Sequence, residues 1–199
     1  DGKAGVLSGR ARNNIHRILS SMLTNAVYWQ LIPENPIKRV RPPKQEKHVA
    51  RFYTEEETVK MLSCLENEEM KYKVAVYIAI FTGMRRGEIL GLEWGDIDFD
   101  KRQIHLERTS VYTETNGVIE KDTKTHVART VSIPEELCEL LKKYRRQWLE
   151  RKFKIGGLWQ ETERLMIQWD GKPMFPATLS HWFKKFLNKF GGEKSILAP

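Results

Sequence analysis

The run Thr82-Gly83-Met84-Arg85-Arg86-Gly87-Glu88-Ile89-Leu90-Gly91-Leu92-Glu93-Trp94-Gly95-Asp96-Ile97-Asp98 constrains this chain more than any other stretch, because it joins two apolar helical segments across a sharp break. Ahead of it, Val74, Ala75, Ile78 and Phe81 recur at helical spacing, which predicts a helix with one buried face. Gly83 supplies the left-handed conformation that ends such a helix. Beyond the break, Glu88 to Leu92 predicts a second, short helix anchored in a core by Ile89, Leu90 and Leu92. Arg85 falls between two packed elements, and a guanidinium so held is pre-organised to grip an anion. Spacing alone fits a surface ion pair better than a functional anion site.

The surrounding chain of 199 residues is 40% hydrophobic, enough for one core and a smaller helical appendage. Its 34 Lys and Arg against 26 Asp and Glu give a net charge of +8, which favours a polyanionic partner. A solvated basic surface carries the same charge. Cys64 and Cys138 lie far apart in helical segments, without metal-ligand spacing, and suit buried thiols in a reducing compartment. No apolar run approaches a membrane span and no signal core opens the chain, so a soluble, cytoplasmic protein without a membrane partner is expected.

Along the chain, Ile15, Ile18, Leu19, Met22, Leu23 and Ala26 define an amphipathic helix over 8–31, with Arg10 and Arg17 off its apolar face. Pro33 and Pro36 end it. A single helix makes no domain, so residues 1–35 are expected to be the last element of an N-terminal helical domain. Residues 36–53 carry Lys38, Arg39, Arg41, Lys44, Lys47 and Arg51 among prolines, a basic linker. The main domain, 54–199, opens on the Thr54 and Glu57 capping box. Arg102 to Tyr112 alternates as a strand, Asn116-Gly117 signals a hairpin turn, Val118 to Glu120 returns, and Thr130 to Ile133 is a third strand. Pro134 suits the first position of a helix with Leu137, Leu140, Leu141, Tyr144 and Trp148 inward and Lys142, Lys143, Arg145 and Arg146 outward. Gly156-Gly157 ends it, Leu165 to Trp169 reads as extended, and Thr178 caps a last helix with a stripe of Leu179, Trp182, Phe183, Phe186, Leu187 and Phe190.

Thr82-Gly83-Met84-Arg85, with Glu88 and the Leu-x-Trp-x-Asp-Ile tail, resembles the first conserved box of tyrosine recombinases, the phage and mobile-element integrases. The likeness extends over nearly the whole chain. It implies an α+β, mainly helical catalytic-domain fold with a small three-stranded antiparallel sheet, preceded by a helix of the core-binding domain. It further implies that Arg85 hydrogen-bonds the non-bridging oxygens of a scissile phosphate and that Glu88 holds the arginine region in place. Asp122-Thr123-Lys124-Thr125, followed by the Arg-Thr-Val-x-Ile-Pro strand, is similar to the hairpin carrying the family's catalytic lysine. Lys124 would then protonate the leaving 5′ oxygen, with Lys121 its nearest rival. Arg86, His126, Arg41, Lys44 and Arg17 are the expected phosphate contacts. The implied partners are duplex DNA at attachment sites and further copies of the chain, a tetramer in the family, with no metal or other cofactor.

The pattern then departs from the family. No His-x-x-Arg follows the last helix, His181 on that helix has Lys184 three residues on, and no tyrosine stands in the nucleophile's context. Catalytic groups that act as a unit fail together, so the chain is expected to be an incomplete fragment, inactive alone. A non-catalytic DNA-binding or regulatory protein on the same scaffold is the alternative. Asp96, Asp98, Asp100 and Glu107 fall on calcium-loop positions, but Lys101 replaces the required glycine. The five histidines have no zinc spacing.

Overall fold

The computed structural model describes residues 7–44, 53–113, 115, 117–122 and 129–190. The chain divides into two compact units, Asp1–Arg51 and Phe52–Pro199. In the first, helix α1 spans Gly9–Tyr28, and the Ser8 hydroxyl caps it by accepting from the Ala11 amide at 3.1 Å. Its expected apolar stripe lies open: Ile15, Ile18, Leu19 and Met22 are all exposed, and no residue of α1 is buried. Pro36–Arg39 forms a 3₁₀ turn at the head of the expected linker. The Asn35 amide fastens that turn to α1, donating to the Ser20 carbonyl at 3.0 Å and the Thr24 hydroxyl at 2.9 Å while accepting from the Ile37 amide at 3.1 Å. A buried amide satisfied on both ends fixes local geometry at little desolvation cost.

The second unit begins with α2, Glu55–Leu65, under the reciprocal Thr54 and Glu57 capping box. Helix α3, Met70–Thr82, ends at Gly83 with φ +63°, the left-handed cap its sequence predicts. The inward face is wider than the expected stripe, since Val74 to Ile78 are all buried, while Phe81 is 36% exposed. Helix α4 spans Arg86–Gly91 and buries Ile89, Leu90 and, just past its end, Leu92.

The sheet differs from expectation in its connections. The stretch Arg102 to Tyr112 is two strands, β2 (Gln103–Leu106) and β3 (Arg108–Thr113), parted at Glu107. Strand β2 is central between β1, Ile97–Asp98, and β5, Arg129–Ser132, with Ile104 opposite both Ile97 and Val131. Strand β3 instead pairs with β4, Gly117–Asp122, as a separate antiparallel ribbon. One chain thus serves two sheets. Arg108 marks the exchange: its Nη1 donates to Glu93 Oε2 at 2.8 Å and to Asp96 Oδ2 at 2.9 Å, drawing the strand off its first course.

Helix α5, Glu135–Ile155, starts one residue after Pro134 and buries Leu137, Leu141, Tyr144 and Trp148 with Cys138, while Leu140 is only partly buried. Gly156, at φ +57°, ends it. Leu165 to Ile167 are buried but bend at Leu165 and Met166 between isolated bridges at Arg164 and Ile167 instead of running extended, tied by Leu165 N to Leu92 O at 3.0 Å and Trp94 N to Glu163 O at 2.9 Å. Helix α6 starts at Pro176, two residues ahead of the expected Thr178 cap, and runs to Phe190. Proline at the first position needs no amide partner. Its stripe packs inward, with Leu179, Phe186 and Leu187 buried and the Trp182 indole stacked on Tyr72 at 4.2 Å. No helix among the described residues is long and apolar enough to cross a membrane.

Candidate functional site

The site is assembled where α4 meets β3 and β5. Two glycines bring α4 close to β3: a Cβ on Gly91 would lie 3.1 Å from the Arg108 carbonyl and 3.2 Å from the Ser110 amide, and one on Gly87 would lie 2.6 Å from the Thr109 hydroxyl. Only glycine permits backbone to approach backbone so closely. Helix α4 is therefore held in a fixed register on the ribbon. Behind it, the buried Arg164 donates to the Gly91 carbonyl and lies 3.5 Å from Glu93, extending the Arg108, Glu93 and Asp96 cluster beneath the end of the helix.

At the other end of α4 stands Glu88, whose side chain is 3% exposed. Its Oε2 accepts from the Arg85 backbone amide at 2.9 Å and its Oε1 from Arg85 Nη1 at 3.0 Å. The same Oε2 accepts from Arg129 Nη2 at 2.8 Å. One buried carboxylate thus carries two guanidinium groups, leaving one positive charge in excess. The Arg85 side chain is 70% exposed and that of Arg129 41%, so both present nitrogen donors to solvent from an anchored base. Planar forks on a fixed carboxylate suit recognition of a second oxyanion, a phosphate above all.

Arg129 was not among the residues singled out from the sequence. Its signal lay in strand parity: Arg129 and Val131 share one face of β5, which the buried Ile133 continues just past the strand, and Arg129 pairs across with the buried Leu106. An arginine whose base pairs across from a buried leucine while its head is 41% exposed is placed to reach a carboxylate at the edge of the core. Of the sequence candidates, Arg85 and Glu88 are brought together. Arg86 turns instead to α6, donating through Nη1 to the Ser180 hydroxyl at 2.6 Å. Arg17, Arg41 and Lys44 are exposed residues of the first unit, and His181 is exposed on α6. Lys124 and His126 lie outside the described residues.

The acidic spacing at Asp96, Asp98 and Asp100 has local uses. Asp98 Oδ1 accepts from the Asp100 and Lys101 amides at 3.1 and 2.8 Å, and the Lys101 backbone bond holds its carboxyl below the usual range. Asp96 is occupied by Arg108 and the Glu93 amide. Among the described residues no group of three His, Cys, Asp or Glu side chains is arranged to hold a metal ion.

Helices gathered around a small antiparallel sheet carry two arginines paired on one buried glutamate at a glycine-broken helix junction. The model of the phage integrase family matches residues 51–198, and the chain belongs to this family of tyrosine recombinases. It is 26% identical over 180 residues to the ICEBs1 integrase of Bacillus subtilis strain 168, covering 90% of this chain and 49% of that protein. A XerC-like tyrosine recombinase of Caldanaerobacter subterraneus is 29% identical over 203 residues, covering 92% and 51%. The chain thus spans about half the length of these relatives. In fold it is similar to the Tn1549 transposon integrase in complex with transposon right end DNA, at a TM-score of 0.75, 22% identity and coverage of 95% of this chain and 61% of that one. It is also similar to a lambda integrase dimer bound to a core site, at 0.58 and 21%, covering 94% and 47%.

Proposed function

We propose that this chain is the part of a tyrosine-type site-specific DNA recombinase that binds duplex DNA and grips the scissile phosphodiester through Arg85. The observation that carries the reading is the doubly paired, buried Glu88, which orients Arg85 while leaving the site cationic. A phosphate undergoing attack gains charge on its non-bridging oxygens, and a pre-oriented guanidinium stabilises that charge without reorganising. Lys124, in the segment before β5, is assigned as the acid that protonates the leaving 5′ oxygen. The second arginine box and the tyrosine nucleophile are assigned to chain outside these 199 residues, which alone neither cleave nor rejoin DNA. The DNA ends named for the similar integrases make attachment sites of a mobile element the expected substrate, acted on by several copies of the protein together. Arg17, Arg41, Lys44, Arg86 and His126 are assigned as contacts to the DNA backbone.

The test uses protein expressed from the full reading frame and duplexes taken from the DNA flanking its gene. A covalent protein–DNA adduct is expected from the unaltered protein and none from Arg85→Ala, with the two binding the duplex alike. Adduct formation by Arg85→Ala removes the assignment of that residue. Duplex binding without any adduct from the unaltered protein turns the conclusion to a non-catalytic DNA-binding role.

A further inference from the structure

Glu88 presents an electrostatic problem that Arg85 does not solve. A carboxylate with a 3% exposed side chain must be countered by cations and hydrogen bonds. Were Arg85 its sole counter-ion, the pair would be neutral, and an approaching phosphate would meet a negative charge directly behind the guanidinium meant to bind it. Arg129 removes that conflict. It arrives on β5, 41 residues along the chain from Glu88, and takes Oε2 at 2.8 Å, while Arg85 Nη1 takes Oε1 at 3.0 Å. The two guanidinium groups divide the carboxylate between them, so neither oxygen is left to draw Arg85 further inward. Among the described residues, the polar contacts of the Glu88 side chain are to these two arginines alone.

We propose that Arg129 is a positioning residue of the phosphate site: it takes up the charge and second oxygen of the buried Glu88, leaving Arg85 oriented and its own charge uncancelled for a phosphate oxygen. The inference rests on the reading that Arg85 binds phosphate, and it adds a charge requirement to it. The site must carry a net charge of +1 to work. Any set of substitutions that leaves Arg85 in place and keeps this balance keeps phosphate binding, and any set that cancels it loses binding even with Arg85 intact.

The 199-residue chain is titrated with inorganic phosphate at low salt, following the Arg85 Nε–Hε resonance, with thermal melting recorded for every variant. Arg129→Gln is expected to weaken binding roughly tenfold or more, because it sets a neutral pair against the anion. Arg129→Lys, which keeps the charge, is expected to stay within about threefold of the unaltered chain. The deciding variant is Glu88→Gln with Arg129→Gln, which restores the net charge and is expected to recover binding to within about threefold. If Arg129 only braced the strand, the double variant would bind as weakly as Arg129→Gln, and that result overturns the proposal, as does unchanged binding in Arg129→Gln. Should Arg129→Gln fail to fold, weak binding by folded Arg129→Lys or by the folded double variant overturns it equally. Phosphate binding that persists in Arg85→Ala is the separate result that removes the underlying reading of Arg85.

Discussion

Replacing Gly91 by alanine reverses the usual effect of that substitution on a helix. Alanine in place of a helical glycine ordinarily gains about 1 kcal/mol from the reduced freedom of the unfolded chain. At Gly91 the new methyl would meet the Arg108 carbonyl at 3.1 Å and the Ser110 amide and Thr109 Cα at 3.2 Å. All three are backbone atoms of β3, which has no rotamer to change. Relief requires α4 to move off the ribbon by a few tenths of an ångström, and forced overpacking of this kind costs about 1–3 kcal/mol. The net loss centres on about 1 kcal/mol after the propensity gain, a fall in Tm of about 2–4 °C for a chain of this size. Gly95→Ala is the control, because its Cβ would have nothing within 4 Å, and its Tm is expected to hold or rise. Thermal unfolding followed by circular dichroism reads both variants. A Gly91→Ala chain that melts at or above the unaltered temperature refutes the reasoning that backbone contact fixes the register of α4. The same displacement carries Glu88 and Arg85 with it, so the variant is also expected to weaken phosphate binding beyond its loss of stability.

Two further outcomes concern buried acids. Burial pushes the Tyr144 phenol well above its ordinary value, and its hydroxyl donates to the Leu165 carbonyl at 2.7 Å. The native state keeps this proton longer than the unfolded chain does, so the contribution is fully present below about pH 10, the unfolded phenol's range, and is lost as pH rises beyond it. Tyr144→Phe is expected to cost about 1–2 kcal/mol near neutral pH and to close that gap above about pH 10; a gap constant to pH 11 contradicts this. Cys138 is likewise buried, with its thiol pushed up chiefly by burial, whereas Cys64 is partly exposed. Iodoacetamide is therefore expected to label Cys64 first and Cys138 only as the chain unfolds, and equal native rates speak against that packing.

The legible parts of this protein are those written within a few residues. The Thr54 and Glu57 capping box, the Gly83 terminus and the inward face of α5 follow from hydrogen bonds and side-chain periodicity inside one or two turns of backbone. These local rules also fixed the family resemblance, because the arginine box is a local motif. The sequence could not say that Arg102 to Tyr112 serves two sheets, since both halves alternate alike, and the break at Glu107 arises from Arg108 reaching the Glu93 and Asp96 carboxylates. Nor could it say that α6 docks its aromatic stripe on Tyr72, with Trp182 Nε1 donating to Glu68 at 3.0 Å. The decisive case is Arg129. Its place on a short strand was legible, but only the path of the chain decided that Glu88 would lie within reach, because a carboxylate and a guanidinium from distant segments meet through packing and not through spacing.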